Sequence, residues 1–235
     1  AGLEKLKMEQ GDGIVDDATV TMGLSLGEYS ALCFAGAISF EDGVRLVQER
    51  GAAMQAAADM AESAMASVIG LDSEKVSEIC KAASERSGKE VRIANYLCKG
   101  NYAVSGAKEA IDTVMEIAKP EFKARMAVKL AVAGAFHTDF MLPAVERLSK
   151  MLETIDVKEP RIPVVSNVDG KAHKDPKVIK EILTQQVTSP VLWENTMGAM
   201  FASDFEKAYE IGPGKVLAGI MKRFNKQADI TNIEV

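Results

Sequence analysis

Apolar positions along this chain switch between two rhythms, and the switches predict strands and helices in turn. Residues 1–10 read as the tail of a helix. Residues 18–22 are a short, β-branched apolar run that predicts a strand, and 28–35 suit a helix. Leu46, Arg50 and Met54 follow at i, i+4 and i+8 with Val47 beside them, which predicts one face of a helix over 41–59. Ser39 is its expected N-cap, with Asp42 three residues on. From Ser63 the pattern predicts a strand over 64–70, a helix over 73–86, strands over 90–95 and 102–106, a helix over 108–118 and a strand over 122–128. That order, βαββαβ, is the ferredoxin-like arrangement. Residues 130–137 form an apolar stretch ending in His137, expected to lie at a strand end. A helix to about 153, a buried strand over 161–167, a helix over 176–186 behind Asp175-Pro176, a bend at 188–193 into another helix, a strand over 207–211 and a helix over 216–223 follow. Alternating strands and helices predict a parallel α/β core. The chain therefore divides into a large α/β subdomain (1–62 and 130–235) and a small inserted one (63–129).

Composition narrows the classes. The chain has 235 residues, enough to bury a full core. Its net charge of −6 leaves no basic excess to offset phosphates, so nucleic acid is not the expected partner. No apolar run is long enough for a membrane span. Cys33, Cys80 and Cys98 are widely spaced with no C-x-x-C, which supports neither a zinc site nor a disulfide framework and fits a reducing compartment. His137 and His173 are the two histidines, without H-E-x-x-H spacing, so no metal site is expected.

Candidate chemistry centres on Gly23-Leu24-Ser25-Leu26-Gly27, a G-x-S-x-G between an expected strand and an expected helix. Such a turn projects the serine hydroxyl, with the N–H groups of the helix start behind it. A serine nucleophile needs a base within reach. His137 follows an apolar segment and precedes a helix, which favours it; His173, among Lys171, Lys174 and Asp175, reads as solvated. Arg50 lies on the apolar stripe of its helix, with no carboxylate three or four residues away. An interior guanidinium must find an anion elsewhere. A distant Asp or Glu, a path to solvent, and a substrate carboxylate are all open on spacing alone.

Across nearly its whole length the chain resembles the malonyl-CoA:acyl carrier protein transacylases. The matching stretches are Gly23-Leu24-Ser25-Leu26-Gly27-Glu28-Tyr29-Ser30, Arg45-Leu46-Val47-Gln48-Glu49-Arg50-Gly51, Gly134-Ala135-Phe136-His137, Gln186-Val187-Thr188-Ser189-Pro190 and Glu210-Ile211-Gly212-Pro213-Gly214. The resemblance implies an α/β-hydrolase-like sheet subdomain with an inserted ferredoxin-like one. It implies malonyl transfer from malonyl-CoA to acyl carrier protein through a malonyl-serine, in fatty acid synthesis, with no cofactor. By position, Ser25 is the nucleophile and His137 its base. Arg50 pairs with the malonyl carboxylate, the carbonyl of Gln186 orients the histidine, and the Leu26 N–H is an oxyanion donor. Asn95 borders the cleft, and Phe136 is the malonyl-type residue before the histidine.

Two departures shape further expectations. Leu24 stands where bacterial members usually have histidine, and with Asn95-Tyr96-Leu97-Cys98 it looks like the plastid enzymes of plants and algae. A plastid stroma is thus the expected location, a bacterial cytoplasm the alternative. The family's first strand and G-Q-G-x-Q loop, source of a second oxyanion donor, have no match here, so a shortened or processed form is expected. Carrier proteins are generally acidic, which makes Lys123, Arg125 and Lys129, or Lys222, Arg223 and Lys226, candidate docking clusters. Two other functions stay open: a serine esterase or thioesterase, with an Asp or Glu orienting the histidine, and a non-catalytic carrier-binding relative.

Overall fold

The computed structural model describes residues 1–202 and 205–234. The chain starts with helices α1 (Gly2–Gln10) and α2 (Gly13–Asp16), then strand β1 (Thr21–Met22), α3 (Leu26–Phe34) and α4 (Phe40–Ala58). Next come β2 (Ser63–Ile69), α5 (Ser73–Ser87), β3 (Val91–Cys98), β4 (Asn101–Ala107), α6 (Lys108–Ile117) and β5 (Met126–Lys129). A 3-10 turn at Asp139–Met141 leads into α7 (Leu142–Glu153), followed by β6 (Val164–Val165), α8 (Pro176–Gln186), α9 (Trp193–Phe201), β7 (Ala208–Ile211), α10 (Val216–Phe224) and β8 (Ile230–Ile233).

Local chemistry explains the main boundaries. Ser39 caps α4 by accepting the Asp42 N–H, while its hydroxyl donates to the Asp42 carboxylate. Asp175 accepts the Lys177 N–H ahead of Pro176 at the first turn of α8. Helix α4 buries Leu46, Arg50, Ala53, Met54, Ala57 and Ala58, the face the spacing predicts. It packs into a core with Tyr29 and Leu32 of α3 and Leu148 and Leu152 of α7.

Strands β2 to β5 make one antiparallel sheet in the order β3-β4-β2-β5, the ferredoxin-like order. Its two faces differ because side chains alternate along each strand. Ala66, Val68, Ile93 and Val104 lie against α5 and α6, whereas Met65, Ala94 and Ala103 meet Phe136 on the other side. Two expectations need correction here. The strand expected over 122–128 begins only at Met126: Lys123 turns the chain with φ +63, and the Arg125 N–H reaches back to the Ile69 carbonyl. Residues 130–137 are not a strand; the stretch leaves the sheet after the Leu130 N–H bonds Met65 O and runs irregularly to the histidine.

Parallel pairing occurs in two places, β1 with β6 and β7 with β8. The sequence pattern did not predict β8; its residues, Ile230-Thr231-Asn232-Ile233, do not alternate, and they pair with Ala208–Ile211 in register. The four-stranded sheet is joined by main chain to the segment between α8 and α9. The Tyr96 N–H donates to Val191 O at 2.9 Å and the Val191 N–H to Ala94 O at 2.8 Å, so the segment after α8 adds itself to the edge of β3. Arg92 reinforces the junction, donating to Thr188 O at 2.8 Å and to Asp139 at 3.0 Å.

Candidate active site

The elbow is tight because position 23 has no side chain. A Cβ there would lie 2.0 Å from the carbonyl carbon of Gly27, an overlap that no rotamer relieves. A Cβ on Gly27 would meet nothing within 4 Å, so the two glycines are not equivalent. Ser25 takes the strain of the turn, with φ +50 and ψ −101. A non-glycine residue held there costs of order 1–3 kcal/mol and persists only where its surroundings fix it. Asn167, at the exit of β6, is that surrounding. Its Oδ1 accepts the Ser25 N–H at 2.5 Å and its Nδ2 donates to Gly23 O at 2.8 Å. Leu24 points the other way and packs beside Trp193 and Met197.

His137 arrives from the irregular segment with φ +61. Gly134 lets that segment close on α4, since a Cβ there would sit 2.6 Å from Ala58 Cβ. The imidazole Nε2 lies 2.9 Å from Ser25 Oγ. Its Nδ1 faces two carbonyl oxygens, Gln186 at 2.9 Å and Ser189 at 3.2 Å. Carbonyls only accept, so Nδ1 carries the hydrogen and Nε2 is left as the acceptor toward the serine hydroxyl. Burial pulls this imidazole down to about 4; the Gln186 and Ser189 carbonyls oppose the shift and the Arg50 charge adds to it.

Arg50 is buried and turns into the same space. Its Nη2 donates to Ser25 Oγ at 2.8 Å and to Gln186 Oε1 at 3.3 Å, and the guanidinium lies over the Tyr29 ring at 5.2 Å. Its Nε is buried without a hydrogen-bond partner among the described residues. No ion pair joins Arg50 to a carboxylate among those residues either. Gln186 is fully buried, and its side-chain amide donates to Ser25 O at 3.1 Å and to Glu28 at 2.6 Å. Leu26 is the first residue of α3, so its N–H has no partner within the helix, while its side chain is exposed.

The remaining predicted positions lie further out. Asn95 is buried on β3 and meets the active-site segment through its bridge with Val191. Phe136 is half-buried between the two subdomain cores, and its carbonyl takes the Ser105 hydroxyl at 2.8 Å. His173 pairs with Asp169 at 2.8 Å, away from Ser25. A cavity of about 470 Å³ lined by Lys5, Lys215 and Lys222 lies between α1, α10 and β8; neither Ser25, Arg50 nor His137 lines it.

Sequence reasoning missed Glu28 and Asn167. Glu28 sits three and four residues before Ala31 and Leu32, on the buried face of α3, and is itself buried. That spacing was the available signal, masked because an acid in a first helical turn is ordinarily a surface residue matched to the dipole. Burial pushes its carboxyl up to about 7, against hydrogen bonds from Gln186 and Asn167 and the charge of Arg50. Asn167 carried no signal beyond being a polar residue after an apolar run.

A strained serine between a short strand and a helix, with a histidine on its hydroxyl, is the arrangement that α/β acyl-transfer proteins use for a serine nucleophile. Residues 3–235 match the acyl transferase domain family, and the chain belongs to that family. It is 40% identical over 227 residues to the malonyl CoA-acyl carrier protein transacylase of Bacillus subtilis strain 168, covering 97% of this chain and 69% of that protein. The acyl-carrier-protein S-malonyltransferase of Burkholderia pseudomallei 1710b superposes with a TM-score of 0.91 at 34% identity, over 99% of this chain and 73% of that one. A malonyl-transacylase solved in complex with a type II polyketide acyl-carrier protein gives 0.90 at 33% identity, over 100% and 74%.

Proposed function

We propose that this chain transfers the malonyl group from malonyl-CoA to the phosphopantetheine thiol of acyl carrier protein, in fatty acid synthesis. The observation that carries the reading is Arg50: a buried guanidinium beside Ser25 Oγ, with its Nε unpartnered and no ion-paired carboxylate among the described residues. An acyl group with its own carboxylate supplies the missing anion.

His137 Nε2 takes the proton as Ser25 Oγ attacks the thioester carbonyl. The tetrahedral oxyanion is met by the Leu26 N–H at the start of α3; the Ser25 N–H is already given to Asn167. Collapse expels the CoA sulfur, which takes the proton back from the imidazolium, and leaves malonyl-Ser25. The carrier thiol then gives its proton to His137 and attacks the ester; as the second tetrahedral species collapses, Ser25 Oγ leaves and takes that proton back from the imidazolium. Gln186 O holds the Nδ1 hydrogen throughout. No step calls on a metal or cofactor. Phe136 and Asn95 are read as lining the approach.

A hydrolase of similar fold was expected to orient its histidine with a carboxylate. Here both groups on Nδ1 are main-chain carbonyls. The relatives named above with an organism are bacterial; a plastid stroma remains the location proposed from Leu24 and Asn95-Tyr96-Leu97-Cys98. Among the described residues no helix is long and apolar enough to cross a membrane.

Intact-mass spectrometry after incubation with malonyl-CoA tests the reading. A stable malonyl adduct that Ser25→Ala abolishes and that carrier protein discharges is expected. An adduct lost to water at the same rate with and without carrier would overturn it.

A further inference from the structure

We propose that Glu28 is a positioning residue for the Ser25–His137 pair, a single carboxyl oxygen that holds two separate chain segments against the elbow helix. The proposal rests on Ser25 being the nucleophile and not on which acyl group it carries.

Glu28 Oε2 accepts Gln186 Nε2 at 2.6 Å and the Asn167 N–H at 3.1 Å. Each of those residues then touches the reacting pair. Gln186 O fixes His137 Nδ1 at 2.9 Å, and Asn167 Oδ1 fixes the Ser25 N–H at 2.5 Å. The two segments, the C-terminus of α8 and the exit of β6, lie 158 and 139 residues from Glu28 along the chain. Their shared anchor sits in the first turn of α3, directly behind the nucleophile. Without that oxygen the buried Asn167 N–H would lose its acceptor, and Gln186 Nε2 would keep only Ser25 O. Unpaired polar groups in a dry site are costly, so both segments would shift to recover bonds.

What Glu28 must supply is an acceptor at the right reach. Both donors are neutral amides, and an amide oxygen would serve them equally. Charged and titratable neighbours are Arg50 from α4, Asp169 beyond β6 and Tyr29 on its own helix.

The test separates reach from charge. The chain is labelled at Ser25 with a fluorophosphonate, which reads the nucleophile alone, and in parallel with malonyl-CoA. Glu28→Ala is expected to slow both by about a hundredfold, the cost of a misplacement near 1 Å. Glu28→Gln is expected to recover at least about a third of the parent rate, as an acceptor of equal reach. Glu28→Asp keeps the carboxyl group, falls short of both donors, and is expected to lose rate like alanine. That comparison carries the test if Glu28→Ala does not fold. Labelling of Glu28→Ala within about threefold of the parent, or Glu28→Asp retaining rate while Glu28→Gln loses it, overturns the proposal. A parent that reacts with the phosphonate but never with malonyl-CoA defeats the malonyl reading and leaves the role of Glu28 still measured.

Discussion

Arg50 Nη2 lies 2.8 Å from Ser25 Oγ, so the guanidinium rests on the hydroxyl proposed to be acylated. That oxygen has one hydrogen to give, to His137, and accepts one from Arg50. A substrate carboxylate would draw the guanidinium away from Oγ at the moment the hydroxyl has to react.

Replacing Arg50 therefore acts on substrate choice more than on the nucleophile. Hydrogen bonds to charged groups contribute about 1.5–3 kcal/mol, roughly ten- to a hundredfold. Arg50→Ala is expected to lower kcat/KM for malonyl-CoA by that factor or more and to leave acetyl-CoA loading little changed. Equal loss with both substrates would refute the clamp.

The pH dependence follows from burial of His137. With the imidazole held down to about 4, it stays a neutral base well below its ordinary 6.5. The acid limb of Ser25 acylation should fall near pH 4 to 5, read from kcat/KM against pH. A limb at 6.5 would mean that the imidazole is solvated.

Stability should respond at both ends of that range. As pH falls from 6.5 toward 4 the unfolded chain protonates His137 and the folded one does not, so stability drops. Glu28 works in the opposite sense: the folded carboxyl keeps its proton up to about 7 while the unfolded one loses it near 4.5, so stability drops as pH rises through that window. Urea midpoints of Glu28→Gln should lack the second decline and keep the first.

The two glycines of the elbow should behave differently. Gly23→Ala forces backbone apart at Gly27 and is expected to cost at least about 1–3 kcal/mol, with loss of serine labelling. Gly27→Ala enters open space inside a helix and should be neutral or stabilising by up to about 1 kcal/mol. Thermal melts of the pair decide it.

Of the two basic clusters, 123–129 is the freer. Lys222 donates to Ala228 O and Arg223 lies against Cys98 Sγ, whereas Lys123 and Arg125 are exposed and have no ion-pair partner among the described residues. Lys129 pairs with Asp112. Lys123→Glu with Arg125→Glu should raise KM for carrier protein at low salt and converge on the parent at high salt. Unchanged KM at low salt would remove this cluster from consideration.

By itself the sequence determined the elements whose signals are local. The period of Leu46, Arg50 and Met54 set α4 and its buried face, Ser39 and Asp175 set two helix starts, and alternation in 63–107 set the strands of the small sheet. It also named Ser25, Arg50, His137 and Gln186, because glycine bracketing, an arginine on an apolar face and the likeness to a family are all linear patterns. Tertiary structure alone decided the rest. The path of 130–137 depends on a close approach between Gly134 and Ala58, and the start of β5 on a bond from Arg125 to Ile69, contacts that no window of sequence contains. Glu28 was the first residue of the helix expected over 28–35, and Asn167 the last of the strand expected over 161–167. Both became part of the site only when folding removed their water and left each as the nearest acceptor for a buried donor.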